Sequence, residues 1–591
     1  MNKRLFLTIM LPVMCLMATF AGNNQLPLRL LNHWDNPNGT IERGFSGSSI
    51  WVWEAIPADP SVALPDSLLD IYNAYGRTNQ MLGINGAVLN NVNAKPLMLN
   101  SEMLQKVRRI ADVLRPYGIK VYLSVNFGSP KALGFTTTAD PLDTGVIRWW
   151  HEKCKEILGL IPDFGGFLVK ANSEGEPGPM DYGRTHVDGA NMLADAFVDA
   201  YNAKVPASEQ KKAGNTCPII MWRAFVYAPG SEDRASQAYN EFIPFDGKFR
   251  ENVIIQIKNG PVDFQPREPL SPLFFALKHT KMMAELQITQ EYTGHNIATC
   301  FLGTEWKEFI DSINAYKIPL EGFAGVSNIG DQTFKKVAGT GGKGLFNEMT
   351  RANWYAFGML ANDTTTTPET IARTYLENEW SRDERFLKPI TELLLDSYET
   401  YVSYTMPLGL HHIFAGNHHY GPEPWYFVKG LRADWLPPYY HKADAKGLGF
   451  DRTVNGSGNV MQYPEPLRSL YGNAETCPDY LKLWFHHVPW SEIWDKLCHT
   501  YDKGVSTAQT YITTWESVKP YVDPDRYTQQ LRHFQQQADD AWWWRDACLL
   551  YFQEFSKFPF PADSPAPKYE LGTLRRFHIN IDNYTQVPMA Y

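Results

Sequence analysis

Apolar positions fall in two successive rhythms along this chain. From residue 44 onward, short runs rich in β-branched and aromatic residues recur. They predict strands at Gly44–Trp53, Ile84–Asn91, Ile119–Phe127, Phe164–Ala171, Pro218–Tyr227, Asn252–Asn259, Glu285–Glu291 and Phe323–Asn328. Between them the period lengthens. In Ser101–Leu114, the positions Leu104, Val107, Ile110 and Leu114 share one face of a helix, and Val146–Leu160 repeats that character. Eight strands alternating with helices predict an α/β fold, a (β/α)8 TIM barrel. A doubly wound open sheet is the alternative, but no Gly-rich phosphate loop follows the first strand.

Beyond about residue 362 the strand rhythm stops. Pro368–Trp380, Asp383–Tyr404, Trp490–Lys503 and Pro524–Phe555 read as helices joined by Gly- and Pro-rich loops. The last carries Trp542-Trp543-Trp544-Arg545 and then Leu549 to Phe552, apolar nearly all round. Such a helix is expected to be buried, either in the core or as a homodimer face of the C-terminal domain. The expected domains are a signal segment at 1–21, a catalytic barrel with a short lead-in at 22–362, and a mainly α-helical C-terminal domain at 363–591.

The signal is read from Lys3 and Arg4, the apolar run Leu5–Phe20 and the ending Thr19-Phe20-Ala21. The run is too short for a stable membrane insertion, so export, to a periplasmic location, is expected. Cys15 raises lipid attachment, which Met14 before it disfavours. Charge narrows the partners: 55 Lys and Arg stand against 64 Asp and Glu. Removing residues 1–21 takes away Lys3 and Arg4 and moves the net charge from −9 to −11. With no long basic run, nucleic acid and anionic membrane surfaces are excluded as partners. Hydrophobic residues at 44% and charged residues at 20% rule out disorder, collagen-like repeats and coiled coils. The 18 Trp and 30 Tyr suit stacking on sugar faces, although most such rings fill cores. The six cysteines beyond residue 21 show no paired spacing, so buried free thiols are expected.

A barrel places its chemistry at the C-terminal ends of its strands. The first predicted strand ends in Trp51 and Trp53, and the fourth runs into Lys170-Ala-Asn-Ser-Glu174-Gly. The fifth carries Trp222-Arg223, the sixth ends Lys258-Asn-Gly-Pro-Val-Asp263, and the seventh ends Thr289-Gln-Glu291-Tyr292. Singly, each has a plainer reading: an acid as a helix cap, a lysine as a surface snorkel, an arginine as a structural ion pair. Together, three carboxylates, two lysines and an arginine at one mouth point to a carbohydrate-active or carboxylate-binding enzyme. One acid would protonate a leaving oxygen while a carboxylate opposite activates water. The cations would clamp a substrate that carries its own carboxylate, a uronic acid.

At these segments the chain resembles the α-glucuronidases of glycoside hydrolase family 67. The resemblance is carried by Lys170-Ala-Asn-Ser-Glu-Gly-Glu-Pro-Gly-Pro179, Met221-Trp-Arg-Ala-Phe-Val226, Lys258 to Pro269 and Gln287-Ile-Thr-Gln-Glu-Tyr292. Leu408-Gly-Leu-His-His412, His418-His-Tyr-Gly-Pro422, Trp484 to Trp490 and Trp543 to Cys548 extend it over the rest of the chain. It implies inverting release of D-glucuronic acid, or its 4-O-methyl form, from α-1,2 linkage to the terminal non-reducing xylose of glucuronic acid-substituted xylo-oligosaccharides. Glu174 would be the general acid, and Asp263 and Glu291 would position and deprotonate water. Lys170, Arg223 and Lys258 would bind the uronate, with Trp51 or Trp53 shaping the pocket. The resemblance implies no metal and no nucleotide cofactor. Family members carry a β-sandwich domain before Pro27–Trp34; here the signal runs almost directly into that motif, so this domain is expected to be absent. His411, His412, His418 and His419 lack helical metal-ligand spacing and are read as loop packing or substrate contact. The alternatives are a retaining glycosidase using Glu174 and Glu291, or a glycan-binding protein without turnover.

Overall fold

The computed structural model describes residues 24–34, 49–210, 212, 216–227, 230, 232–327, 347–416, 418–580 and 585–588. The expected signal segment 1–21, with Cys15, lies outside these residues.

Eight parallel strands pair in chain order and close on themselves. They are β1 (Leu28–His33), β2 (Gly86–Val88), β3 (Lys120–Val125), β4 (Gly166–Val169), β5 (Ile219–Arg223), β6 (Val253–Lys258), β7 (Met282–Gln287) and β8 (Gly322–Ser327). Closure runs from Leu28 opposite Gly322 to His33 opposite Ser327. One side chain from each strand, among them Leu30, Tyr122, Met221 and Ala324, fills the barrel interior. The barrel is therefore a packed core whose open chemistry is confined to its mouth.

Seven strands lie close to where the hydrophobic pattern puts them, and the first does not. The first strand is Leu28–His33 rather than Gly44–Trp53. Residues 44–48 lie outside the described set, and Trp53–Ala55 is a single 3-10 turn. The alternation that suggests a strand there has another cause. Trp51 and Trp53 are buried while Val52 between them is 41% exposed, because a turn is pinned to the core by two rings. The true strand is buried on both faces, Leu30 inside the barrel and Leu31 under the outer layer, so it shows no alternation.

The helices follow their amphipathic stripes. In α1 (Ser101–Leu114) the buried face is Leu104, Val107, Ile110 and Leu114, and the Asn100 side chain caps its start by accepting from the Met103 N–H at 2.7 Å. Asp143 caps α2 (Thr144–Leu160) in the same way. Following the barrel are α3 (Pro368–Glu379), α4 (Glu384–Thr405), α5 (Trp490–Ser517) and α6 (Pro524–Ser556), of which α4, α5 and α6 pack on one another. The Trp-rich stretch of α6 is buried within this chain, so its rings offer no face to a second copy. Arg545 beside them is fully buried and paired with Asp502 and Asp546 at 2.6 Å each, as a desolvated guanidinium requires.

The helical region also grips the barrel's mouth. The Tyr398 hydroxyl donates to the Pro266 carbonyl at 2.6 Å. Gln537 of α6 accepts from the Thr299 N–H at 2.9 Å and donates to the Thr299 carbonyl at 3.0 Å. The loops after β6 and β7 are thus held from outside the barrel. The six described cysteines are unpaired thiols. Among the described residues no helix is long and apolar enough to cross a membrane.

Candidate active site

A pocket of about 390 Å³ opens at the C-terminal ends of the strands, bounded on one side by residues 412–437. Its floor is charged. Lys170 directly follows β4, is 2% exposed, and donates to Asn93 Oδ1 at 2.8 Å and to Glu174 Oε2 at 2.5 Å. Glu174 can turn back over Lys170 because the loop reverses sharply: Asn172, Glu174 and Gly175 all take left-handed backbone angles, at φ 52°, 51° and 81°. Two of these are not glycine, so surrounding contacts must hold them. The Asn172 side chain does so, accepting from the Met180 N–H and donating to Asp181, both at 3.0 Å.

Asp263 is presented by the loop after β6, and that loop is built around a second carboxylate. Half-buried Glu268 accepts from the backbone N–H groups of Val262, Asp263 and Gln265 at 2.6, 2.8 and 2.8 Å. Asp263 in turn is ringed by donors: the Lys258 ammonium, the Tyr292 hydroxyl at 2.8 Å and the Arg234 guanidinium at 3.5 Å. Burial alone would raise this carboxyl. Lys258 and Arg234 outweigh burial and, with the Tyr292 hydrogen bond, hold it well below the usual carboxylate range. Lys258 also lies 3.5 Å over the Phe225 ring.

Glu291 follows β7. Its Oε1 meets His419 Nδ1 at 3.0 Å, and its Oε2 accepts from Gln287 Nε2 at 3.3 Å. Within β7 itself, buried Glu285 takes a two-pronged bond from Arg223 of β5 at 3.0 and 2.7 Å. Burial would raise the Glu285 carboxyl, but the facing guanidinium lowers it, so the pair sits charged under the pocket.

The structure therefore brings Glu174, Asp263, Glu291, Lys170, Arg223 and Lys258 into one pocket. Trp51 and Trp53 are not among its lining residues. Trp51 is buried instead against His33, Tyr72 and Tyr75, with ring centroids 5.1–5.3 Å apart. The ring at the end of the true first strand is Trp34, which does line the pocket. The rule that strand ends carry the site is right, and the strand was misplaced. Sequence reasoning missed Arg234, Glu285 and Tyr292, and it read His412, His418 and His419 only as loop packing or substrate contact. Four of these six reach the site by tertiary approach alone. Glu285 and Tyr292 flank Glu291 closely enough that the strand-end rule could have found them. The histidine pairs have distinct duties: His411 packs on Trp484, with ring centroids 4.0 Å apart and planes tilted by 31°, whereas His419 enters the pocket.

Chemically, three carboxylates on separate loops surround one cavity, and four buried cations neutralise the floor. Such a site can protonate one atom of a ligand, deprotonate a water beside it, and hold an anionic substituent.

Comparison with known proteins bears on the family. Residues 15–354 match the glycosyl hydrolase family 67 middle domain, and residues 346–565 match the family 67 C-terminus. Alpha-glucuronidase A of Emericella nidulans is 37% identical over 585 residues, covering 92% of this chain and 64% of that protein. An alpha-glucuronidase of Hypocrea jecorina is 36% identical over 582 residues, covering 91% and 64%. The chain thus spans a little under two thirds of the length of these relatives. Among solved structures, a family GH115 4-O-methyl-alpha-glucuronidase superposes with a TM-score of 0.42 at 11% identity, over 96% of this chain and 63% of that one. Matched by both family models over most of its length, and with the pocket formed from both matched regions, the chain belongs to glycosyl hydrolase family 67.

Proposed function

We propose that this protein hydrolyses the α-1,2 bond between D-glucuronic acid, or its 4-O-methyl form, and the terminal non-reducing xylose of xylo-oligosaccharides, with inversion. The observation that carries the reading is the convergence of Glu174, Asp263 and Glu291 on one pocket whose buried cations are already held in place. The relatives named as alpha-glucuronidases support the substrate class. In this reading, Glu174 gives its proton to the xylose oxygen as the glycosidic C–O bond breaks. A water held by Asp263 and Glu291 attacks the anomeric carbon from the opposite face, and its proton passes to one of these two carboxylates. Asp263 is held ionised by Lys258 and Arg234, which suits it to orient or deprotonate that water. Lys170, Arg223 and Lys258 surround the uronate, whose carboxylate would share donors that now serve Glu174, Glu285 and Asp263. The N-terminal segment read as a signal adds that the enzyme is exported, with a periplasmic site of action.

The test is incubation with short aldouronic acids, with the first-released anomer followed by NMR. Release of β-glucuronic acid from the α-linked substrate is the expected result. The α-anomer would establish retention, and no release would overturn the activity. Glu174→Ala should abolish turnover of natural substrates but spare much of the rate on an activated aryl leaving group, which needs little protonation.

A further inference from the structure

We propose that His419 and Tyr292 act as one positioning unit that sets both water-activating carboxylates at once. The proposal rests on the roles given above to Asp263 and Glu291, and it assigns the helical region a direct part in the reaction.

The two rings are stacked, with centroids 4.3 Å apart and planes 22° from parallel. Each holds one carboxylate. Tyr292 donates its hydroxyl to Asp263 Oδ2 at 2.8 Å, and His419 meets Glu291 Oε1 at 3.0 Å. An ionised carboxylate only accepts, so the His419 nitrogen facing it is the protonated one, Nδ1–H. Each Glu291 oxygen then has one donor, His419 on one side and Gln287 on the other. This fixes the plane of the carboxylate while leaving lone pairs for a water. Because Tyr292 follows Glu291 directly and stacks on the ring that bonds it, any shift of His419 moves both acids.

The unit is itself anchored. Tyr292 also packs edge-on to Phe414, and His419 packs edge-on to the same ring, which in turn meets Trp544 of α6 at 5.7 Å. Gln265, two residues beyond Asp263, accepts from the His412 N–H at 2.7 Å. The titratable groups around His419 are Glu291, Tyr292, His412 and His295. The last two are driven towards the neutral form, first by burial and then by charged or titratable neighbours.

The test combines kinetics with a measurement that does not need turnover. His419→Ala should lower kcat about 100-fold with KM changed less than threefold, the signature of misplaced reacting groups. His419→Asn, which keeps a donor near the Nδ1 position, should recover at least tenfold of that loss. Tyr292→Phe keeps the stack and removes the hydroxyl; combined with His419→Ala it should lose less than the product of the single losses, because the two act together. Separately, 15N NMR of the His419 ring should show a proton on Nδ1, and Glu291→Ala should abolish that preference. A rise in KM with kcat intact would make His419 a substrate contact, and a ring proton found on Nε2 alone would show that the Glu291 bond is absent; either overturns the unit. If the wild-type enzyme releases no uronic acid, the activity reading fails while the ring spectrum still decides the unit.

Discussion

Asp263 shows how strongly single neighbours govern this site. Burial pushes its carboxyl up, and Lys258, Arg234 and Tyr292 together bring it well below the ordinary range. Lys258→Met keeps the packing on Phe225 while removing the charge, so burial then meets weaker opposition and the carboxyl rises. The acidic limb of the kcat/KM profile should therefore move to higher pH by about one unit or more. A limb that stays in place would mean Lys258 does not hold Asp263. At this scale the sequence is informative wherever a residue sits at the end of a strand or just past it. Lys170, Glu174, Arg223, Lys258, Asp263 and Glu291 follow from the barrel rule, because backbone geometry alone directs strand ends to one rim. His419 lies 128 positions from Glu291, and no periodicity encodes that meeting.

Among the elements, the segment carrying His418 and His419 is a short antiparallel excursion closed by the Phe414–Pro422 bridge, with the Ala415 N–H bonded to the Gly421 carbonyl at 2.7 Å. Gly421 has no room for a side chain: a Cβ there would lie 2.0 Å from the Trp543 ring. Gly421→Ala must push the excursion off α6, at a cost of about 1–3 kcal/mol in overpacking. Because His419 rides on the same segment, kcat should fall about 10- to 100-fold, a larger effect than the change in melting temperature suggests. Unchanged kcat in a folded variant would show the excursion to be slack. Strand β1 marks the limit of pattern reading for elements. Alternation is a surface property, and a strand covered on both faces has none, whereas the pinned turn at Trp51–Trp53 imitates it.

For the molecule as a whole, stability carries a buried acid that lies outside the floor of the site. Asp540 of α6 accepts from the Tyr420 hydroxyl at 2.5 Å, and burial raises it to about 7 despite that bond. Its folded value lies above its unfolded one. It therefore contributes stability that is complete below about pH 4 and is lost as pH climbs through about 7. Asp540→Asn has no proton to lose, so its melting temperature should fall less than that of wild type between pH 4 and pH 8, measured by calorimetry. Parallel curves would show that Asp540 does not titrate in this range. The two-part plan, barrel then helices, was legible because period and composition change near residue 362. That the second part walls the pocket was not, since chain order says nothing about which loops meet.

The floor of the pocket comes from residues 170–291 and one wall from residues 412–437. If the C-terminal halves of two members of this family were exchanged, each hybrid would inherit its acids from one parent and the wall that carries His419 from the other. Such a hybrid would work only where the two halves match, because the seam between them runs through the middle of the cavity.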